Sequence, residues 1–277
     1  MRVQIFDIPS VLKNYVRKIW FFENNRGLPE IDDMMLVAPN GLIRLVIPCK
    51  NSFSLRNNEW PQVSREDKMV LIGICDLPLF VDFIKDEPSA MIGVEFSPLG
   101  AYHFFHLRQS EIKNHAYLLT DILDKSYLQI EEQIANARDI NLKVKLLKQF
   151  LYDLFLKNDS DLIFEYCVNK ITHSEGNVSI KQLANETGYS SRWLNVKFDE
   201  RLGISPKSLC SILRFHYFYS AMIKKDERVL KSKTFFDLYY DQSHFIKDFK
   251  RFTGLTPTQF VSMNNNFCRL FYVDYLS

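Results

Sequence analysis

Phe198-Asp-Glu-Arg-Leu-Gly203-Ile-Ser205-Pro206-Lys-Ser-Leu209 is repeated, 51 positions later, as Phe249-Lys-Arg-Phe-Thr-Gly254-Leu-Thr256-Pro257-Thr-Gln-Phe260. Phe, Gly, Ser/Thr, Pro and a large apolar residue recur in register. Similarity at fixed spacing marks a duplicated structural unit. In each copy the glycine ends one helix through a left-handed residue, and Ser/Thr-Pro starts the next with proline at N1. Helix, tight glycine turn and helix together spell a helix-turn-helix.

Working outward from the first copy, Ser179-Ile-Lys-Gln182 reads as a capping box, with Ser179 accepting the N3 amide and Gln182 reaching back. Ile180, Leu183 and Ala184 form the apolar face of that helix, and Gly188 ends it. Ser190 caps the following helix, from Ser191 to about Glu200. Leu209, Ile212, Leu213, His216, Tyr219 and Ile223 stripe the long helix after Pro206. In the second copy Asp241 caps a helix from Gln242 to about Phe252, and Thr256-Pro257-Thr-Gln259 forms another capping box.

Residues 1–125 carry a different period. Tyr15–Phe22, Gly41–Pro48, Met69–Ile74 and Met91–Phe96 mix alternation with β-branched and aromatic residues, separated by turn signals such as Pro39-Asn40-Gly41. Short strands at this spacing predict a sandwich or barrel. Gly100–His106 reads as a short helix following the last of these strands. From about residue 126 the apolar spacing turns helical through Phe155, and Ser160 or Asp161 caps another short helix, Leu162–Ile171.

Charge divides the chain further on, at about residue 177. Residues 1–177 hold 20 Lys+Arg against 24 Asp+Glu, whereas residues 178–277 hold 15 against 9. An acidic body joined to a basic C-terminal part points to a polyanionic partner. Five cysteines without CxxC spacing read as reduced, buried thiols. Neither a secretory signal nor an apolar run of about 18–20 residues is visible, so a cytoplasmic location with no membrane is expected.

Tyr239-Tyr240-Asp241-Gln242-Ser243-His244-Phe245 through Phe249-Lys250-Arg251 to Gly254 and Pro257 resembles the signature of the AraC/XylS family of bacterial transcription regulators. Ile180, Leu183, Ala184, Gly188, Ser190, Leu194, Phe198, Gly203 and Pro206 resemble that family's first helix-turn-helix. Tyr15–Phe22, Pro39-Asn40-Gly41 and Ile92–Tyr102 are similar to the N-terminal part of one branch. The resemblance implies an α+β chain of two domains: a cupin-like β-barrel with flanking helices, and an all-α double helix-turn-helix. The expected division is 1–125 sensor or dimerisation domain, 126–175 helical connector, 176–263 DNA-binding domain and 264–277 aromatic tail. Two departures stand out. Thr234 and Leu238 occupy positions where the family usually has a small residue and a glycine, and Val196 one that is often basic.

Double-stranded DNA is the expected partner, read by two helices in successive major grooves. In the first reader, Ser191, Arg192, Asn195 and Val196 face outward once Leu194 and Phe198 point inward. Arg192 suits guanine O6/N7, Asn195 suits adenine N6/N7, and Val196 suits a thymine methyl. In the second, Gln242, Ser243, Ile246 and Lys247 face outward around core Phe245, Phe249 and Phe252. Lys197, Arg201, Lys250 and Arg251 are the expected phosphate contacts. Trp193 and His244 occupy equivalent places and read as packed residues rather than base contacts. A small-molecule effector in the barrel would meet Trp20, Phe22, Arg44, Glu95 and Tyr102. Further expected partners are a second copy of the chain, through 126–158, and RNA polymerase where the regulator activates. No catalytic, metal or cofactor set is expected. The competing reading, a cupin-type metal enzyme, would use His103 and His106 with Glu95 or Glu111. A third, a protein-docking module, would use the aromatic tail from Phe267 to Leu276.

Overall fold

A computed structural model describes residues 2–25, 35–56, 61–84, 87–123, 127–156, 160–224 and 242–262. The N-terminal elements are β1 (Arg2–Phe6), β2 (Val16–Asn24), β3 (Met35–Val37), β4 (Ile43–Lys50), β5 (Phe53–Arg56), β6 (Pro61–Val63), β7 (Val70–Ile72), β8 (Leu79–Phe83), β9 (Ser89–Phe96), α1 (Gly100–Phe105) and β10 (Ala116–Leu118). They form two antiparallel sheets, ordered β1-β2-β9-β4-β7-β10 and β3-β8-β5-β6.

Strand alternation sends side chains to two separate cores. Trp20, Phe22, Val46, Val70, Ile72 and Met91 of the large sheet meet Phe53, Leu55, Leu79 and Val81 of the small one, filling the interior between them. Ile19, Phe21, Ile43, Leu45, Ile92, Val94 and Phe96 point the other way, into a core shared with the helices. Every residue of β9 is therefore buried, covered on one face by the second sheet and on the other by helices. Its register opposite β2 places Gly93 beside Trp20. A Cβ at Gly93 would fall 2.1 Å from the indole ring, so only glycine lets that ring lie across the strand.

The helical part continues with α2 (Leu119–Ile122), α3 (Tyr127–Ala135), α4 (Ile140–Phe155), α5 (Leu162–His173), α6 (Ile180–Thr187), α7 (Ser191–Leu202), α8 (Pro206–Lys224), α9 (Gln242–Thr253) and α10 (Pro257–Ser262). The helical stretch after residue 126 is two helices, because the Asp139 carboxylate caps a new one at the Leu142 amide. Asp161 caps α5 through the Phe164 amide.

One apolar cluster runs from Leu12 and Ile92 through Leu147 and Leu194 to Phe249 and Phe252. The body and the C-terminal helices thus share a core. α8 is central to it: Phe215 and Phe218 are buried as fully as the expected stripe residues Leu209, Ile212 and Tyr219, while Leu213 is partly covered and His216, though partly exposed as a residue, has its imidazole Nε2 fully buried. Phe215 packs edge-on against Phe249, with ring centroids 5.7 Å apart. Thr234, Leu238, Asp241, Cys268 and the tail 264–277 lie outside the described residues.

Candidate nucleic-acid interface

The first helix-turn-helix is α6 followed by α7. Ser179 Oγ accepts the Gln182 amide as expected, at 3.0 Å. Gln182 does not reach back, however. Its amide donates to Glu186 Oε1 at 2.9 Å, because Glu186 is the hub of a surface cluster that also takes Tyr166 and Lys170. Gly188, in the left-handed region, ends α6, and Ser190 Oγ accepts the Trp193 amide at 3.2 Å to start α7. At the second unit the capping box is complete: Thr256 Oγ1 accepts the Gln259 amide and Gln259 Oε1 accepts the Thr256 amide.

The apolar anchors of both readers are buried: Leu194, Phe198 and Leu202 in α7, and Phe245, Phe249 and Phe252 in α9. The opposite faces are open. Ser191, Arg192, Asn195 and Val196 are exposed on α7, and Ser243, Ile246 and Lys247 on α9. Val196 is 56% exposed, which for a large aliphatic side chain presents a methyl surface to solvent. The side chain of Gln242 lies outside the described residues. Trp193 is half-buried, stacked on Tyr189 at 4.1 Å with Lys197 Nζ 5.2 Å from the ring centre, whereas His244 is exposed.

The cations expected at phosphates divide differently. Lys250 is exposed. Arg251 Nη2 lies 3.3 Å from Asp76 Oδ2, on the loop after β7. Lys197 Nζ and Arg201 Nη2 both meet Asp161 Oδ2, at 3.1 and 3.2 Å. Burial disfavours charge on both carboxyls. At Asp76 the hydrogen bonds from Lys113 and Asn114, with Arg251 nearby, outweigh it and hold the pKa below the ordinary carboxylate value. At Asp161 the Phe164 amide, Lys197 and Arg201 do the same.

Sequence reasoning missed these acidic partners. Asp161 carried a capping signal only, and nothing local marks Asp76, whose partner Arg251 is 175 positions away. The C-terminal end of α7 is also tied to the body. Arg108 pairs with Asp199 at 3.0 Å, and Tyr102 Oη donates to Glu200 at 2.9 Å.

That bond takes Tyr102 away from the barrel. Lying on α1 outside the sheets, it faces α7, with the Arg201 guanidinium 4.6 Å from its ring centre. The other expected effector residues, Trp20, Phe22, Arg44 and Glu95, share the interior side of the large sheet, as their registers require. Arg44 Nε pairs with Glu95 Oε1 at 3.3 Å there.

His103 and His106 are brought to no common ligand. His103 is buried and stacked on Tyr15 with ring centroids 4.1 Å apart, while His106 is exposed in a left-handed conformation. Among the described residues no cluster of His, Cys, Asp and Glu could hold a metal ion. Cys49, Cys75, Cys167 and Cys210 are free thiols, and burial pushes each up to about 11. Among the described residues no helix is long and apolar enough to cross a membrane.

Residues 183–263 match the family model of a helix-turn-helix domain, and residues 8–117 that of a domain of unknown function, DUF6597. The chain carries an AraC-type helix-turn-helix domain. It is a DNA-binding transcription regulator whose N-terminal part is built on two antiparallel sheets. No curated protein matches it. Among solved structures it is similar to an apo variant of ToxT from Vibrio cholerae, at 16% identity over 88% of this chain and 97% of that one, with a TM-score of 0.48. It is similar to ToxT with a bound unsaturated fatty acid at 17% identity over 89% and 96%, with a TM-score of 0.46. The cupin domain of an XRE family transcriptional regulator from Enterobacter cloacae is similar at 13% identity over 34% of this chain and 93% of that one, with a TM-score of 0.27.

Proposed function

We propose that this regulator reads a bipartite operator, with α7 and α9 entering successive major grooves on one side of the duplex. The observation that carries the reading is the matched register of the two helices. Each buries an apolar row and leaves an open face rich in groups that suit base edges. The N-terminal residues of a recognition helix meet base edges, which gives Ser191, Arg192, Asn195, Val196, Gln242, Ser243, Ile246 and Lys247 the reading role. Lys250 and Arg251, at the far end of α9, fall to phosphates.

The body, 1–125 with the connector 126–175, carries the control of the DNA-binding part, 176–263. A small-molecule effector would have to open the packed interior side, where Arg44 and Glu95 pair beside Trp20 and Phe22. Selection of bound duplexes from a random pool by the full-length chain tests the DNA reading. Two half-sites about 10 base pairs apart are expected. A single unsplit motif, or none, would count against it.

A further inference from the structure

We infer that Asp161 is a positioning residue for the first reader helix, with Lys197 and Arg201 as its docking cations rather than phosphate contacts. The inference rests on the two-reader function proposed above. At about 100° per residue, Lys197 lies about 140° and Arg201 about 180° around α7 from Arg192. They occupy the flank turned away from the reading face, four residues apart and therefore stacked along it.

Both head groups converge on one carboxylate, that of Asp161 at the N-terminus of α5. The side chains are mostly covered: Lys197 is 22% exposed, Arg201 21% and Asp161 16%. A surface ion pair adds little, but charges held this far from water depend on their partner. Aromatic rings complete the seat. The Arg201 guanidinium sits over Tyr102 at 4.6 Å and beside Phe164 at 5.9 Å, and Lys197 covers the outer face of Trp193. The Asp161 carboxylate is itself oriented by the Phe164 amide. The chain of contacts thus runs from the end of the connector, through two cations, to the first turn of the reader, where Trp193 follows Arg192. Without the carboxylate, two cations would repel each other at the back of α7, and the angle at which Arg192 and Asn195 meet a duplex would be lost.

Asp161→Asn in the full-length chain is the test, because Asn also caps a helix N-terminus and leaves α5 supported. Binding is measured on a duplex with both half-sites and on two duplexes with one half-site scrambled. The half-site whose preference Arg192→Ala relaxes is assigned to the first reader. Asp161→Asn is expected to shrink the penalty for scrambling that half-site by about tenfold and to leave the other penalty intact. Lys197→Met, which keeps the aliphatic stem over Trp193, should do the same without changing the slope of log K against log salt.

Several results would overturn the inference. If Asp161→Asn tightens all duplexes alike, the carboxylate is a brake on cations that meet phosphate. If Lys197→Met flattens the slope by about 0.9, Lys197 is a phosphate contact. If the melting temperature drops while both half-site penalties persist, the role is structural only. A wild-type chain with no preference for either half-site would instead remove the two-reader function, and this inference with it.

Discussion

Arg192 and Lys250 are both exposed cations on reader helices, yet they occupy opposite ends of them. Arg192 is in the first turn of α7, where a recognition helix meets base edges, and its fork matches guanine O6/N7. Arg192→Ala should cost about 1–3 kcal/mol on the selected duplex and relax the preference at one base pair, read by titrating single-base variants. Lys250 is in the last turn of α9, where a cation meets the phosphate chain. Lys250→Ala should weaken matched and scrambled duplexes alike and flatten the salt slope by about 0.9. Identical behaviour of the two variants would show that the roles are misassigned. Arg251 sits beside Lys250 but shares its charge with Asp76, so the two neighbours are not equivalent donors to DNA.

Gly203 and Gly254 end the two reader helices with the same left-handed backbone, at φ +84° and +77°, but in different surroundings. A Cβ at Gly254 meets no atom of the described residues within 4 Å, whereas one at Gly203 would fall 2.6 Å from the Gln109 carbonyl oxygen of the body. Gly254→Ala should therefore cost only the conformational penalty, about 1 kcal/mol. Gly203→Ala adds a backbone collision and should cost roughly 2–3 kcal/mol, read as a lower urea midpoint at unchanged slope. Equal losses at the two sites would mean that the body does not press on the end of α7. These turns were legible in the sequence because capping chemistry is local, as at Ser179, Ser190 and Thr256. The strands β2, β4 and β9 were legible because runs of β-branched and aromatic residues bounded by turn signals mark strands, including those buried on both faces. Tyr102 was not, since a helix after a strand turns its residues by packing rather than by pleat. Gln182 was diverted by Glu186, and the acidic partners of the readers lie far away in the chain. Such pairings depend on tertiary placement, which no local pattern records.

Across the whole molecule, α8 sits between the sheet domain and the second reader, and His216 lies on its barrel side. Burial pushes the His216 imidazole down to about 4, and the charges of Arg44 and Lys224 add to the effect. The unfolded chain takes up a proton near pH 6.5, while the folded chain resists until about pH 4. Stability is thus unaffected by this group above pH 6.5. It falls as the pH drops from 6.5 towards 4, and the loss levels off below that. The shift corresponds to about 3 kcal/mol in total. Asp76 and Asp161 act in a separate window. Their carboxyls are held below the ordinary value, so their contribution is present above about pH 4 and is lost only at lower pH. Urea unfolding of the wild type should show a midpoint that declines between pH 7 and pH 4.5, and His216→Gln should flatten that decline while leaving the acid limb below pH 4 in place. A variant whose profile between pH 7 and 4.5 overlays the wild type's would show that the junction between the sheet domain and the readers is not where the molecule feels that proton.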